Sequence, residues 1–296
     1  MARKAQLRPD SGVSIVVITH RKGYLLRSTL EALARECARH PSKPSEVLVV
    51  DDGGFDYGLV RELLPAFEPA QASLRYIRVK HRGYRLSLMR NLGLQLASYE
   101  PVILLDGDCR PVEGWLAAYL RAFKPGRLLA GRVEWSHPSA SSSPDRLRND
   151  SRFDYERKRP QPGLFRGQPP VYPQRFWAGN VGGLWSDWLR IGLFNEEFNG
   201  GDCEEADAGW RAYYSGLAIE FLFDACVVHQ WHPTTRPRGV NWSLLERKKR
   251  EYSRGRISSR WTPLEECADW EELTLGRACE ANSEGAKDDP RVSPSR

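Results

Sequence analysis

The residues with the clearest chemical potential lie in two stretches. In the first, the apolar run Val102-Ile-Leu-Leu leads straight into Asp106-Gly107-Asp108. An Asp-x-Asp at the end of a buried strand puts two carboxylates at the mouth of a sheet, where an oxygen-seeking Mn²⁺ or Mg²⁺ can sit. The intervening glycine permits a tight turn and a close approach of phosphate to the backbone. Such a cation acts as a Lewis acid on a diphosphate leaving group. The second stretch is Glu204-Glu205-Ala-Asp207, followed by Arg211 and, further on, His229. Glu205 can serve as general base toward a hydroxyl, with Glu204 and Asp207 as support. Arg211 lies one helical turn after Asp207 and can pair with it. Three acids at a helix start also suit the macrodipole with no further role. The strand before His229 would deliver that imidazole to the same sheet end as a ligand for metal or diphosphate, and His232 is a weaker candidate.

Two further groups belong to the same reading. Asp51-Asp52-Gly53 ends an apolar run, where a carboxylate can accept an imide hydrogen or a ribose hydroxyl; the alternative is a plain turn. Arg90, with Asn91, follows the basic and aromatic stretch His81-Arg-Gly-Tyr-Arg85. It suits a nucleotide phosphate or a site aspartate.

The elements that must position these groups read as an α/β domain. Val13–Thr19, Glu46–Val50, Leu74–Val79 and Pro101–Leu105 are short apolar strand candidates. Between them, Leu25–Arg39, Leu59–Phe67 and Leu86–Ala97 carry helical spacing. This alternation predicts a doubly wound, mostly parallel sheet with ligands bound beyond the strands' carboxyl ends. Trp115–Phe123 follows as a helix and Leu128–Trp135 as a strand. A helix from the acidic cluster to about Ser215, a strand over Ile219–Val228 and a basic amphipathic helix over Leu244–Arg256 complete the set. The expected organisation is a basic tail over 1–12, one domain over 13–255 with a mobile lid or acceptor loop at 136–175, and a polar, disordered tail over 256–296.

Bulk composition narrows the partners. The net charge is +6, which favours anionic ligands such as phosphates. The basic residues are interspersed with acids and form no nucleic-acid module, so no nucleic acid is expected as partner. The ten tryptophans include candidates for stacking on sugars. The six cysteines show no CxxC pair, and no signal peptide or membrane-length apolar run is apparent. A cytoplasmic protein with free thiols is expected, with peripheral membrane contact through the basic helix as an option.

Taken in order, these motifs resemble the inverting glycosyltransferases of family 2, which have the GT-A fold. The series is Val-Ile-Thr19-His20-Arg, Asp51-Asp52-Gly-Gly, Met-Arg90-Asn91-Leu-Gly93, Leu-Leu-Asp106-Gly-Asp108, Gly179-Asn180-Val and Phe194-Asn-Glu-Glu-Phe198, then the acidic cluster. The likeness is strongest to transferase domains of chondroitin-polymerase type and covers about residues 13–255. It implies a nucleotide-sugar donor, UDP-linked, a carbohydrate or glycoconjugate acceptor, and Mn²⁺ or Mg²⁺ as cofactor. Thr19, His20, Asp51 or Asp52, Arg90 and Asp106 would hold the nucleotide, and Asp106, Asp108 and His229 the metal. Glu205 would be the base, and Asn180 would serve the acceptor or support the site. Family members usually show Trp-Gly-Gly-Glu-Asp where this chain has Asn199-Gly-Gly-Asp202-Cys203 before Glu204-Glu205, so Asp202 and Glu204 are alternative bases. The rival activities are sugar-phosphate nucleotidyl transfer on the same fold and non-catalytic glycan binding.

Overall fold

The computed structural model describes residues 9–136, 173, 176–200, 202–233 and 240–275. Their strands form one nine-stranded sheet. Its centre is built from β1 (Val13–Thr19), β2 (Ser45–Asp52), β3 (Ser73–Val79) and β4 (Pro101–Asp106), in spatial order β3-β2-β1-β4, all parallel. β1 and β2 are buried along their whole length because helices cover both faces, which is why both read as continuous apolar runs. Alternation still sorts their side chains. Val13, Ile15 and Val17 pack on one face with α1 (Tyr24–Ala38) and α4 (Trp115–Ala122), whereas Val16 and Ile18 pack on the other with α3 (Leu86–Leu96). Each buried aliphatic side chain contributes roughly 1.5–3 kcal/mol. Gly93 lets α3 lie directly on β1, since a Cβ there would sit 2.1 Å from Val16 Cγ1.

Beyond β4 the sheet turns mixed. β6 (Arg127–Trp135) and β7 (Asn180–Leu184) are antiparallel neighbours, and β7 also runs antiparallel to β4. β8 (Ala218–His229) is parallel to β6, and the three-residue β5 (Cys109–Pro111) pairs antiparallel with β8 at the edge. The expected α/β architecture is therefore present, with four parallel and four antiparallel pairings rather than a nearly all-parallel sheet. α5 (Trp185–Arg190), α6 (Glu204–Tyr214) and α7 (Trp242–Tyr252) complete the helices. α7 turns Leu245 and Tyr252 onto Trp210 of α6, leaving Trp242, Arg247 and Arg250 outward. Its apolar stripe is thus occupied within the domain. No helix among the described residues is long and apolar enough to cross a membrane.

Two sequence expectations need correction. The helix expected over Leu59–Phe67 is split into α2 (Tyr57–Glu62) and a 3₁₀ segment (Leu64–Ala70) holding Pro65 and Pro69, which cannot donate to a helical ladder. The tail expected to be disordered from 256 is ordered through Leu275. Trp261, Leu264, Cys267 and Trp270 pack on the α3 side of the core. β9 (Trp270–Leu273) then pairs antiparallel with β3, covering what would be an open sheet edge. Glu272 makes a two-pronged ion pair with Arg75, and Glu271 pairs with Arg78. Residues 276–296 and nearly all of the loop expected over 136–175 lie outside the described residues.

Candidate functional site

The chain reverses its direction of sheet growth between β1 and β4, and a cleft of roughly 500 Å³ opens there beyond the strand ends. Its walls include Thr19, His20, Lys22, Asp52, His81, Asp106 and Asp108. Register explains the gathering. Ile18 lies opposite Asp106, Thr19 opposite Asp51, and Asp52 opposite Val79, so the ends of four adjacent strands deliver one polar group after another to one rim.

At the β4 end, the short β5 brings the aspartates to the histidines. Cys109 pairs with His229, which sets Asp108 beside the end of β8, and Gln230 N–H donates to the Asp108 carbonyl at 2.8 Å. His229 Nε2 stands 3.7 Å from Asp108 Oδ1. His232 Nε2 is closer, 2.8 Å from Asp108 Oδ2, and so this imidazole belongs to the cluster more directly than its sequence position indicates. The Lys22 ammonium lies 2.6 Å from the same oxygen and 2.9 Å from His232 Nε2. Burial pushes the Asp108 carboxyl upward, but the His232 hydrogen bond, His229 and Lys22 outweigh it and hold Asp108 well below the usual carboxylate range. Burial pulls His229 below the ordinary imidazole value, which favours the neutral, ligating form. The Asp108 bond raises His232. Burial, against the pull of Arg90, raises the Asp106 carboxyl, and neighbouring Asp108 adds to this.

This donor set fits a divalent cation. A buried carboxylate and two imidazoles have their ligand atoms within 4.8 Å of one another, and an ammonium stands in for the positive charge. The carboxylate suits Mn²⁺, which imidazole binds less well than oxygen ligands do, while the imidazoles also admit Zn²⁺.

Arg90 forms the base of the site. Expected either on the nucleotide or paired with a site aspartate, it is fully buried, absent from the cleft wall and bonded to Asp106. Its Nη1 donates to Glu204 Oε1 at 3.0 Å, and its Nη2 reaches Asp106 Oδ1 at 3.3 Å and Glu205 Oε1 at 3.4 Å. Burial alone would lower the guanidinium, but the Asp106, Glu205 and Glu204 carboxylates together hold it above its usual range. Sharing one nitrogen keeps the Asp106 and Glu205 oxygens within about 7 Å of each other. Glu205 is about one-quarter exposed, whereas Glu204 is buried and accepts from Asp202 N–H. Of the three acids considered as base, Glu205 is thus the one placed beside Asp106 with access to solvent, on a helix started by left-handed Cys203.

Several expected site residues prove to be framework. Asp51 is fully buried and accepts from Tyr76 Oη at 2.5 Å and from Asp56 N–H at 2.7 Å, so it shapes the Gly53-Gly54 turn and does not face the cleft. Those two glycines have φ of +106° and +74°, which only glycine adopts easily. Asp207 is held between Arg211 Nε at 2.7 Å and Tyr252 Oη at 2.6 Å, all buried, as its helical spacing from Arg211 implied. Asn180 accepts from Trp115 and Tyr119 and donates to the carbonyls of Arg132 and Ala225, tying α4 to strands β6, β7 and β8 of the sheet.

At the other end of the cleft, Asp52 Oδ2 meets His81 Nδ1 at 2.8 Å, while its buried Oδ1 has no hydrogen-bond partner. Thr19 Oγ1 donates to Asp56. Sequence reasoning assigned no role to Lys22 or His81. The signal for Lys22 was its place three residues after β1, in the loop that borders the switch point.

Residues 14–172 match the glycosyl transferase family 2 model. The chondroitin synthase of Escherichia coli is 28% identical over 268 residues, covering 80% of this chain and 38% of its own length. The hyaluronan synthase of Pasteurella multocida is 28% identical over 273 residues, covering 81% and 27% respectively. The chain therefore spans well under half the length of these relatives. Among solved structures, TarS 1–349 of S. aureus in complex with UDP-GlcNAc superposes with a TM-score of 0.55 at 16% identity, covering 76% of this chain and 60% of that one. GalNAc-T7 with UDP, GalNAc and Mn²⁺ gives a TM-score of 0.55 at 14% identity, covering 82% and 50%. These structural likenesses concern the fold.

Proposed function

Because the chain belongs to glycosyl transferase family 2, with the GT-A fold, we propose that it moves a hexose or hexosamine from a UDP-sugar to an acceptor hydroxyl with inversion. The observation that carries this reading is the pairing of two opposite cleft ends. One holds a cation-ready cluster of Asp108, His229 and His232 with Asp106 nearby, and the other has in its wall Asp52, one of whose carboxylate oxygens has no hydrogen-bond partner. A nucleoside diphosphate has matching ends: an imide N–H for Asp52 and a diphosphate for the cluster.

In the reaction, the acceptor oxygen attacks the anomeric carbon of the donor as the bond from that carbon to the diphosphate oxygen breaks. The acceptor proton passes to Glu205, and the bond's electron pair leaves with UDP. One displacement inverts the carbon and needs one base and no covalent intermediate. Asp108, His229 and His232, with Asp106 beside them, would hold a divalent cation, which would supply positive charge for the departing diphosphate. Arg90 contributes without touching substrate: it fixes Asp106 and Glu205 relative to each other, so base and donor cluster move as a unit. Lys22, 2.6 Å from Asp108 Oδ2, is near enough to share in binding the diphosphate.

The test is hydrolysis of a UDP-sugar panel (galactose, glucose, their N-acetyl amines and glucuronate), with Mn²⁺ and with EDTA. Metal-dependent UDP release from one sugar, lost in Asp108→Ala, is expected. No release from any of them, together with no UDP binding, would overturn the reading.

A further inference from the structure

The cleft holds a second cluster of metal-ligand type, apart from the Asp108 group. We propose that His20, Asp52 and His81 form a site for a transition-metal ion of the Zn²⁺, Ni²⁺ or Cu²⁺ class, and that an ion there blocks the nucleotide. The blocking half rests on the reading of the cleft as a donor site; the binding half does not.

Three neighbouring parallel strands supply the three ligands. His20 is the first residue after β1, Asp52 the last of β2, and His81 lies two residues after β3. The ligand atoms lie within 4.8 Å of one another. His81 Nδ1 is 2.8 Å and His20 Nδ1 4.0 Å from Asp52 Oδ2. Tetrahedral Zn²⁺ with bonds of about 2.0–2.2 Å separates its ligand atoms by roughly 3.4 Å. Both spacings to Asp52 Oδ2 lie within about 0.6 Å of that value. The imidazoles are stacked with centroids 4.7 Å apart and their side chains are 41% and 46% exposed; His20 Nδ1 also lies 2.6 Å from the Asp52 backbone carbonyl oxygen, a contact that an ion held through Nδ1 would replace. Asp52 is the opposite case. It is nine-tenths buried, and its Oδ1 lacks any hydrogen-bond partner, so the carboxylate retains coordinating capacity that the protein does not use.

The donor chemistry selects the ion. Two imidazoles and one carboxylate favour Zn²⁺, Ni²⁺ or Cu²⁺ over Mg²⁺, and three protein ligands leave a fourth position for water. An ion bound by Asp52 occupies the carboxylate that a nucleobase imide would otherwise meet. Low concentrations of such ions would then inhibit competitively with the nucleotide, in contrast to an ion on the Asp108 cluster, which supports diphosphate binding.

Because Asp108, His229 and His232 offer a similar donor set, the test must apportion ions between sites. Zn²⁺ is titrated into the full chain by calorimetry without nucleotide, and Co²⁺ by its visible absorption. Two equivalents are expected for the unaltered protein. His81→Ala and, separately, His20→Ala should each lose one equivalent, and Asp108→Ala should lose the other. His81→Gln, with circular dichroism as a check on folding, repeats the measurement without opening a gap. Unchanged stoichiometry and affinity in all three histidine variants would overturn the site. Addition of UDP should release the ion lost in His81→Ala and leave the other bound. Retention of both ions under UDP, with the stoichiometry loss intact, would leave the metal site standing and refute the blocking role.

Discussion

Replacing Arg90 by methionine separates a buried ion-pair hub from a nucleotide contact. Arg90 is fully buried and Glu204 nearly so, and the side chain also serves Asp106 and Glu205. Methionine fills much of the same volume but leaves Glu204 as a carboxylate in a low-dielectric site. Removing one member of a buried ion pair costs about 3–5 kcal/mol. At roughly 2–4 °C per kcal/mol for larger domains, the melting temperature should fall by about 10 °C. The assay is urea unfolding of Arg90→Met, Glu204→Gln and the double variant. Neutralising Glu204 removes the stranded charge, so the double variant should be more stable than the sum of the two single losses by about 1–3 kcal/mol. Additive losses, or an Arg90→Met cost below about 1 kcal/mol, would refute the hub. A variant of full stability that only lost UDP affinity would restore Arg90 to the nucleotide.

Three other substitutions probe single roles. Glu205→Gln should lower transfer by about 10²–10⁴-fold while UDP and Mn²⁺ binding by calorimetry stay near the original values; retained transfer would move the base elsewhere. Lys22→Met removes the ammonium that lies 2.6 Å from Asp108, so Mn²⁺ should bind several-fold more tightly in the absence of nucleotide. Weaker binding would show that Lys22 organises the cluster instead of competing with the ion. Trp231 is 47% exposed and sits between Gln230 and His232, which both bond Asp108. If it stacks on acceptor sugar, Trp231→Ala should raise the acceptor KM roughly tenfold, about 1.4 kcal/mol, with donor hydrolysis unchanged.

Much of this was readable from residue order. The strands β1, β2 and β4 declared themselves because burial on both faces demands unbroken apolar runs, and β2 and β4 ended in carboxylates that now line or support the cleft. Asp207 and Arg211 paired as helical spacing required. What escaped depended on partners distant in sequence. β5 has three residues and no periodicity of its own, yet its pairing with β8 is what brings Asp108 to His229. β9 is polar because its glutamates meet Arg75 and Arg78 of β3, a complementarity invisible until the two strands are adjacent. The division of labour between Asp51 and Asp52 was also hidden. Both end the same strand, but pleating turns Asp51 inward to Tyr76 and leaves Asp52 on the cleft. For Arg90 the sequence left a phosphate and a site aspartate as alternative partners, because it shows the charge and not the three carboxylates surrounding it.

The central claim is that the Asp108 cluster holds a divalent cation that in turn holds a nucleoside diphosphate in the cleft. Calorimetric titration of UDP into the protein, with Mn²⁺ and then with EDTA, tests it most directly. The account predicts binding that weakens at least tenfold on chelation, and Asp108→Ala should bind weakly in both conditions. UDP affinity that is equal with Mn²⁺ and EDTA, and unaltered by Asp108→Ala, would contradict it.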